Sequence, residues 1–194
     1  MPHMSKGRLE AFSDGVLAII ITIMVLELRP PQGGDLSALR PLLPVLLSYL
    51  LSFTFIGIYW NNHHHLLHAA RGIDGRIMWA NLHLLFWLSL VPFATGWVGQ
   101  SPNAVGPAAA YGVVLLMAAV AYWVLVRAIL AAEGEGSQLA QAIGGDLKGK
   151  LSLVLYAAAV GLAFLHPWLA YAVYVAVALM WLVPDRRIEA RAGR

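Results

Sequence analysis

Residues 8–28, RLEAFSDGVLAIIITIMVLEL, join a polar stretch directly to an apolar one. Arg8, Ser13 and Asp14 belong to the polar part, and residues 16–26 carry no charge. A helix needs about 20 mostly apolar residues to cross the hydrocarbon core of a bilayer, and this segment is close to that length. A carboxylate at its edge is costly in a membrane. The first question that the sequence raises is therefore what Asp14 does.

The composition of the whole chain predicts a membrane protein. Of its 194 residues, 60% are hydrophobic and 12% are charged, against about 45–50% and about 25% in soluble domains. We expect one all-α domain over residues 1–194, made of six transmembrane helices, because six apolar runs alternate with short polar links. These helices are predicted at about 11–28, 39–60 (an extension to residue 70 is open), 77–98, 104–131, 151–165 and 168–183.

The distribution of basic residues predicts the orientation. If the N-terminus is cytoplasmic, 11 of the 13 Lys and Arg residues fall on the inner side, and Arg29 and Arg40 fall on the outer side. Cytoplasmic loops carry the excess of Lys and Arg in membrane proteins. We therefore expect both termini in the cytoplasm of a multi-pass protein of the cell membrane.

Several function classes have nothing to support them. The chain has no cysteine, so disulfides and thiolate-bound zinc are excluded. We find no catalytic motif, no cofactor motif and no basic stripe for nucleic acid, so we expect no enzyme activity, no cofactor and no nucleic-acid partner. His64 and His68 share a helix face, as metal ligands can, but no Cys, Asp or Glu accompanies them locally, and no metal site is predicted.

The first helix carries two separate sets of side chains. At about 100° per residue, Ile19, Ile23 and Leu26 fall within roughly 60° of one another, and Thr22 lies beside them. Ser13 and Asp14 point away from this stripe. The wheel does not tell which face meets lipid, protein or water.

Asp14 has two interpretations. It is either an ion or proton site, which is the default hypothesis for an ionisable group at membrane depth, or a structural tie that bonds His and Asn on adjacent helices or pairs with Arg8. Polar and aromatic residues at the cytoplasmic ends of helices one to three are expected to converge on one network: Arg8, Phe12, Ser13, Asp14, Asn61, Asn62, His63, His64, Trp79 and Asn81.

Arg8, Phe12, Ser13 and Asp14, followed at once by the apolar run, resemble the signature of the transmembrane protein 175 family. WNNHHH (60–65) and WAN (79–81) are similar to pieces of that family's second and third helices. The resemblance covers essentially the whole chain. Members of the family are potassium-permeable channels, and the single FSD motif matches the prokaryotic kind, which has one six-helix repeat.

The resemblance implies a homotetramer in which the first helix lines a central pore for potassium ions. Ile19 would form the main apolar constriction, Ile23 and Leu26 would form further rings, and Thr22 would give a polar ring. The family has no TVGYG filter; TGWVG (95–99) lacks that order, and we expect it to be the end of a helix.

Two other function classes stay open from the residues alone. One is a small secondary transporter or proton-coupled carrier that uses Asp14 and the nearby histidines as a relay. Carriers of this kind have inverted repeats and broken helices near the midplane, and the sequence shows neither. The other is a purely structural membrane scaffold, which would pass no ions.

Overall fold

The computed structural model describes residues 5–134 and 146–182, and within these ranges the chain is helical. Its α-helices are α1 (Lys6–Leu26), α2 (Leu43–Ala69), α3 (Gly75–Ser89), α4 (Val91–Gln100), α5 (Val105–Glu133), α6 (Leu147–Ala163) and α7 (Pro167–Leu182). A 3₁₀ helix, Leu36–Leu42, leads into α2. The predicted last position of the sixth helix, residue 183, and the basic residues after it lie outside the described ranges.

Six helical segments follow one another, as the sequence predicts. Four of them are long and apolar enough to cross a membrane by length and composition: Lys6–Leu26, Leu36–Ala69, Gly75–Gln100 and Val105–Glu133. The remaining two, α6 and α7, have 17 and 16 residues. At 1.5 Å per residue each is about 25 Å long, slightly less than the hydrocarbon core. TGWVG (95–99) forms the end of α4, as expected.

The boundaries of three segments differ from those expected, one of them being the fifth helix, which begins at Leu147 instead of residue 151. The first helix begins at Lys6 instead of residue 11, so Arg8 to Asp14 are helical. The third segment is broken at Leu90, between α3 and α4. Pro92 explains the break, because proline lacks the amide hydrogen and its ring clashes with the carbonyl four residues before it.

The α2 helix takes the longer of its two predicted lengths and ends at Ala69. Lys6 lies over this end, and its Nζ donates to the carbonyl oxygens of His68 at 2.5 Å and of Ala70 at 3.1 Å. A cation favours the C-terminal end of a helix, where carbonyl groups are left without partners. The start of α1 is thereby joined to the end of α2.

The helices pack around α5, which contacts α3, α4, α6 and α7. The α1 helix lies to one side and packs against α2, α3 and α4. Aromatic rings fill the contact between α5 and the last two helices: Tyr111 lies 5.5 Å from Tyr174 and Tyr174 lies 6.4 Å from Tyr156, measured between ring centroids.

Gly112 allows α7 to approach α5 closely. The hydroxyl of Tyr174 lies over it and donates to the carbonyl of Ala108 at 3.0 Å. A Cβ atom at position 112 would overlap this hydroxyl and lie 2.9 Å from a methyl group of Val160. The contact therefore requires glycine.

We expect Gly112→Ala to destabilise the protein by about 1–3 kcal/mol, because overpacking forces the buried Tyr174 ring to move. The melting temperature in detergent should fall by about 3–10 °C. Gly161→Ala is the matched control: Gly161 is helical, and a Cβ there meets nothing within 4 Å, so its melting temperature should not fall. Equal melting temperatures for the two variants would contradict this account of the α5–α7 contact.

Candidate functional site

The α1 helix has one face that packs and one that does not. Its buried residues recur every three or four positions: Leu9, Ser13, Leu17, Ile20 and Met24. This spacing places them on a single side of the helix, towards α2, α3 and α4. That side attaches α1 to the rest of the chain.

The predicted stripe lies on the other side of α1. Ile19, Ile23 and Leu26 are 58%, 43% and 81% exposed in the single chain, and Phe12 is also exposed at the N-terminal end of the stripe. Thr22 lies among them and donates its hydroxyl hydrogen to the carbonyl of Ile19 at 2.8 Å. Its oxygen lone pairs are therefore what it presents outward. This face is free for a bilayer, another copy of the chain or an ion path.

A chain of hydrogen bonds inside the protein holds the N-terminal half of α1. The side chain of His63 bonds Asn81 (Nε2 to Oδ1, 2.6 Å), Asn81 Nδ2 donates to Ser13 Oγ at 2.9 Å, and Ser13 Oγ donates to the carbonyl of Leu9 at 2.8 Å. All three side chains are buried. Since a carbonyl oxygen only accepts, the Nε2 atom of His63 carries a hydrogen. The chain joins α2, α3 and α1 and satisfies every group along it.

Asp14 has a different partner from those expected. It is exposed, and its Oδ1 accepts a hydrogen bond from the indole Nε1 of Trp60 at 3.0 Å. The expectation of a His, Asn or Arg8 partner is therefore replaced by a tryptophan on α2. Consecutive residues of a helix point about 100° apart, so Ser13 faces the interior while Asp14 lies at the edge next to α2.

The other residues expected in the network lie around it. Arg8 and Asn61 are exposed, and neither side chain forms a hydrogen bond or ion pair within residues 5–134 and 146–182. The carbonyl of Asn62 accepts from the hydroxyl of Tyr122 at 3.3 Å. Trp79 is 70% exposed and points away from the buried chain. The structure thus brings Ser13, His63 and Asn81 together, and it leaves Arg8, Asn61 and Trp79 outside.

His64 and His68 stack instead of converging on a point. Their ring centroids lie 6.0 Å apart, and the ring of Trp60 lies 6.2 Å from that of His64. In the part of the chain that the structure describes, no group of three or more His, Cys, Asp or Glu side chains is placed to hold a metal ion.

A second buried chain of hydrogen bonds, which we did not predict, lies beside the C-terminal half of α1. The hydroxyl oxygens of Tyr111 and Ser52 are 2.8 Å apart, those of Ser52 and Thr95 are 2.7 Å apart, and Thr95 donates to the carbonyl of Val91 at 2.7 Å. The Sδ atom of Met24 lies 3.9 Å from Thr95 Oγ1. The available signal was a hydroxyl in each of three apolar runs, since such a group must find a partner in a membrane.

We expect Asn81→Ala to lower the melting temperature by about 3–10 °C, because it leaves the buried Nε2–H of His63 without an acceptor, a loss of about 1–3 kcal/mol. Asn61→Ala removes the same side chain from an exposed position and should leave the melting temperature close to that of the unmodified protein. Similar values for the two variants would mean that the buried chain does not stabilise α1.

The two interpretations of Asp14 make different predictions. If Asp14 is a tie, then Asp14→Ala, Trp60→Phe and the double variant should each lower the free energy of unfolding by about 1 kcal/mol. Their melting temperatures should therefore fall by similar amounts. Asp14→Asn keeps an acceptor for Trp60 and should lower it less. A changed ion selectivity in Asp14→Ala with normal stability and assembly would instead favour a direct role of Asp14 with ions.

The chain is similar to several known proteins. The family model described as endosomal/lysosomal potassium channel TMEM175 matches residues 8–92, from α1 to the start of α4. A potassium channel of Chryseobacterium sp. (strain P1-3) is 54% identical over 186 residues, which make up 96% of this chain and 97% of that protein. A potassium channel of Chamaesiphon minutus is 33% identical over 92% of this chain and 94% of its own length.

Animal relatives match over a shorter range. The mouse endosomal/lysosomal proton channel TMEM175 is 31% identical over 94 residues, 46% of this chain and 19% of that protein.

The fold is similar to the crystal structure of a lysosomal potassium-selective channel TMEM175 homolog from Chamaesiphon minutus, with a TM-score of 0.80 and 30% identity over 92% of this chain and 96% of that one. The resemblance seen in the sequence is confirmed: the chain belongs to the TMEM175 family, a family of ion channels and not of enzymes.

Proposed function

We propose that the protein is a potassium channel of a prokaryotic cell membrane, in which four copies surround a pore lined by α1. The observation that carries the proposal is the division of α1 into two faces, one buried against α2, α3 and α4 and one exposed with Ile19, Ile23 and Leu26. Its relatives of similar length are named potassium channels, and the exposed stripe is where this family resemblance implies the constriction.

Four copies of the stripe around an axis would form stacked apolar rings. Ile19 would form the innermost ring of the three, and Ile23 and Leu26 would follow about one and two turns further out. Apolar constrictions gate by expelling water. Aliphatic groups replace little of the hydration shell of an ion, so such a pore opens or closes by its width and its wetting.

Thr22 would provide a polar ring between the apolar ones. Because its hydroxyl hydrogen is used on the carbonyl of Ile19, the oxygen lone pairs are left to face the pore. An oxygen with free lone pairs is a suitable contact for a potassium ion that has lost part of its water. We assign Thr22 this role in selectivity.

We further propose that both termini lie in the cytoplasm. Six helical segments return the chain to the side from which it started, and the excess of Lys and Arg predicts that side to be the cytoplasm. In this orientation the Ser13–Asn81–His63 chain lies near the cytoplasmic surface, and Thr95 with Ser52 and Tyr111 lies nearer the outer one.

The carrier alternative loses its main support, although the break at Leu90 is a broken helix of the kind that the sequence was not expected to contain. It requires a relay between Asp14 and the histidines, but Asp14 bonds Trp60 and His63 bonds Asn81. Among the described residues no Asp or Glu lies within ion-pair distance of a histidine. A flux assay separates the two classes, because a carrier saturates and couples its substrate to a counter-ion.

Ile19→Asn tests the pore. Asparagine at the constriction would wet it, so we expect the potassium current in liposomes to rise several-fold. Val154→Asn, which puts the same side chain on an exposed position of α6, should leave the current unchanged. The particle should show four-fold symmetry with α1 nearest the axis. An unchanged current from an intact tetramer of Ile19→Asn would refute the assignment of α1 to the pore.

A further inference from the structure

The carboxylate that directly follows α1 takes no part in the contacts described so far. Glu27 follows Leu26 directly at the outer end of the helix, and its amide still donates to the carbonyl of Ile23 at 3.3 Å. Its backbone is therefore held in register with Ile23 and Leu26. Its side chain is exposed.

The carboxylate of Glu27 lies against α4. It lies over Gly96, where a Cβ atom would overlap Oε2 and would lie 3.3 Å from Cδ and 3.8 Å from Oε1. Glycine at position 96 leaves the room that the carboxylate occupies. The charge is thus kept beside the outer end of α1.

No cation neutralises Glu27 within the described parts of the chain. No Lys, Arg or His lies within ion-pair distance of its carboxylate, and no hydrogen bond to it is formed there. The helix itself disfavours this charge, because the C-terminal end of a helix is its negative end and is stabilised by cations. Helix stability therefore gives no reason for an acid at position 27.

We propose that Glu27 attracts cations to the outer mouth of the pore; this inference rests on the proposed channel function. In four copies around the axis, four carboxylates and four helix C-terminal ends would place negative potential just outside the ring of Leu26 side chains. Rings of Asp or Glu favour cations in this way, and a charged mouth raises the local concentration of the permeant ion.

The mechanism predicts a dependence on ionic strength. The Debye length is about 30 Å at 0.01 M salt and about 3 Å at 1 M, so the carboxylates act across the mouth only at low salt. Glu27→Gln should lower the single-channel potassium current roughly two- to five-fold at about 10 mM KCl, and by less than about 1.3-fold at about 1 M KCl.

Two control variants test whether the loss of potassium current comes from the charge at position 27. Glu27→Asp keeps the charge and should retain most of the current at low salt. Asp35→Asn removes one acid from the same predicted side, beyond the end of α1, and should lower the current less than Glu27→Gln. Equal losses for Glu27→Gln and Asp35→Asn, or for Glu27→Gln and Glu27→Asp, would overturn the proposal.

Two further outcomes would also overturn it. One is a ratio of unmodified to Glu27→Gln current that is the same at both salt concentrations. The other is loss of the tetramer in Glu27→Gln, which would mean that the carboxylate holds the assembly together. Failure of the channel proposal is distinguishable, because the unmodified protein would then carry no potassium current and Ile19→Asn would not raise it.

Discussion

A helix that leaves one face unpacked within its own chain must be held in place entirely by the contacts of its other face. The α1 helix meets this constraint with a narrow row of buried residues from Leu9 to Met24. In an aqueous protein apolar burial alone would supply the force, but lipid is as apolar as leucine, so packing and hydrogen bonds must do more of the work. The arrangement of α2, α3 and α4 follows from this requirement.

The two buried hydrogen-bond chains solve the problem in the same way. Each links side chains of three helices and ends on a backbone carbonyl four residues back in a helix: Ser13 on Leu9, and Thr95 on Val91. A helical carbonyl has a second lone pair, so it can accept a side-chain donor without losing its own helical bond. Neither chain leaves an unsatisfied donor in the apolar interior, where one would be costly.

The sequence predicts the parts of this structure that depend on local pattern. Helical periodicity is enough to place Ile19, Ile23 and Leu26 on a different face of the helix from Ser13, because a helical wheel needs only the residue spacing. The partner of Asp14 depends on how α1 and α2 pack, and nothing in the sequence distinguishes the indole of Trp60 from nearby histidines and asparagines. The hydroxyls of Ser52, Thr95 and Tyr111 lie far apart in the chain, so their meeting could be found only from the fold.

The break at Leu90 has a mechanical consequence. With Pro92 in the next turn, this point has one backbone hydrogen bond fewer than an unbroken helix, so bending there costs less than elsewhere in the segment. Thr95, on α4, lies against Met24 in the C-terminal half of α1, and Asn81, on α3, bonds Ser13 in its N-terminal half. The two halves of α1 are thus attached to segments on opposite sides of the break.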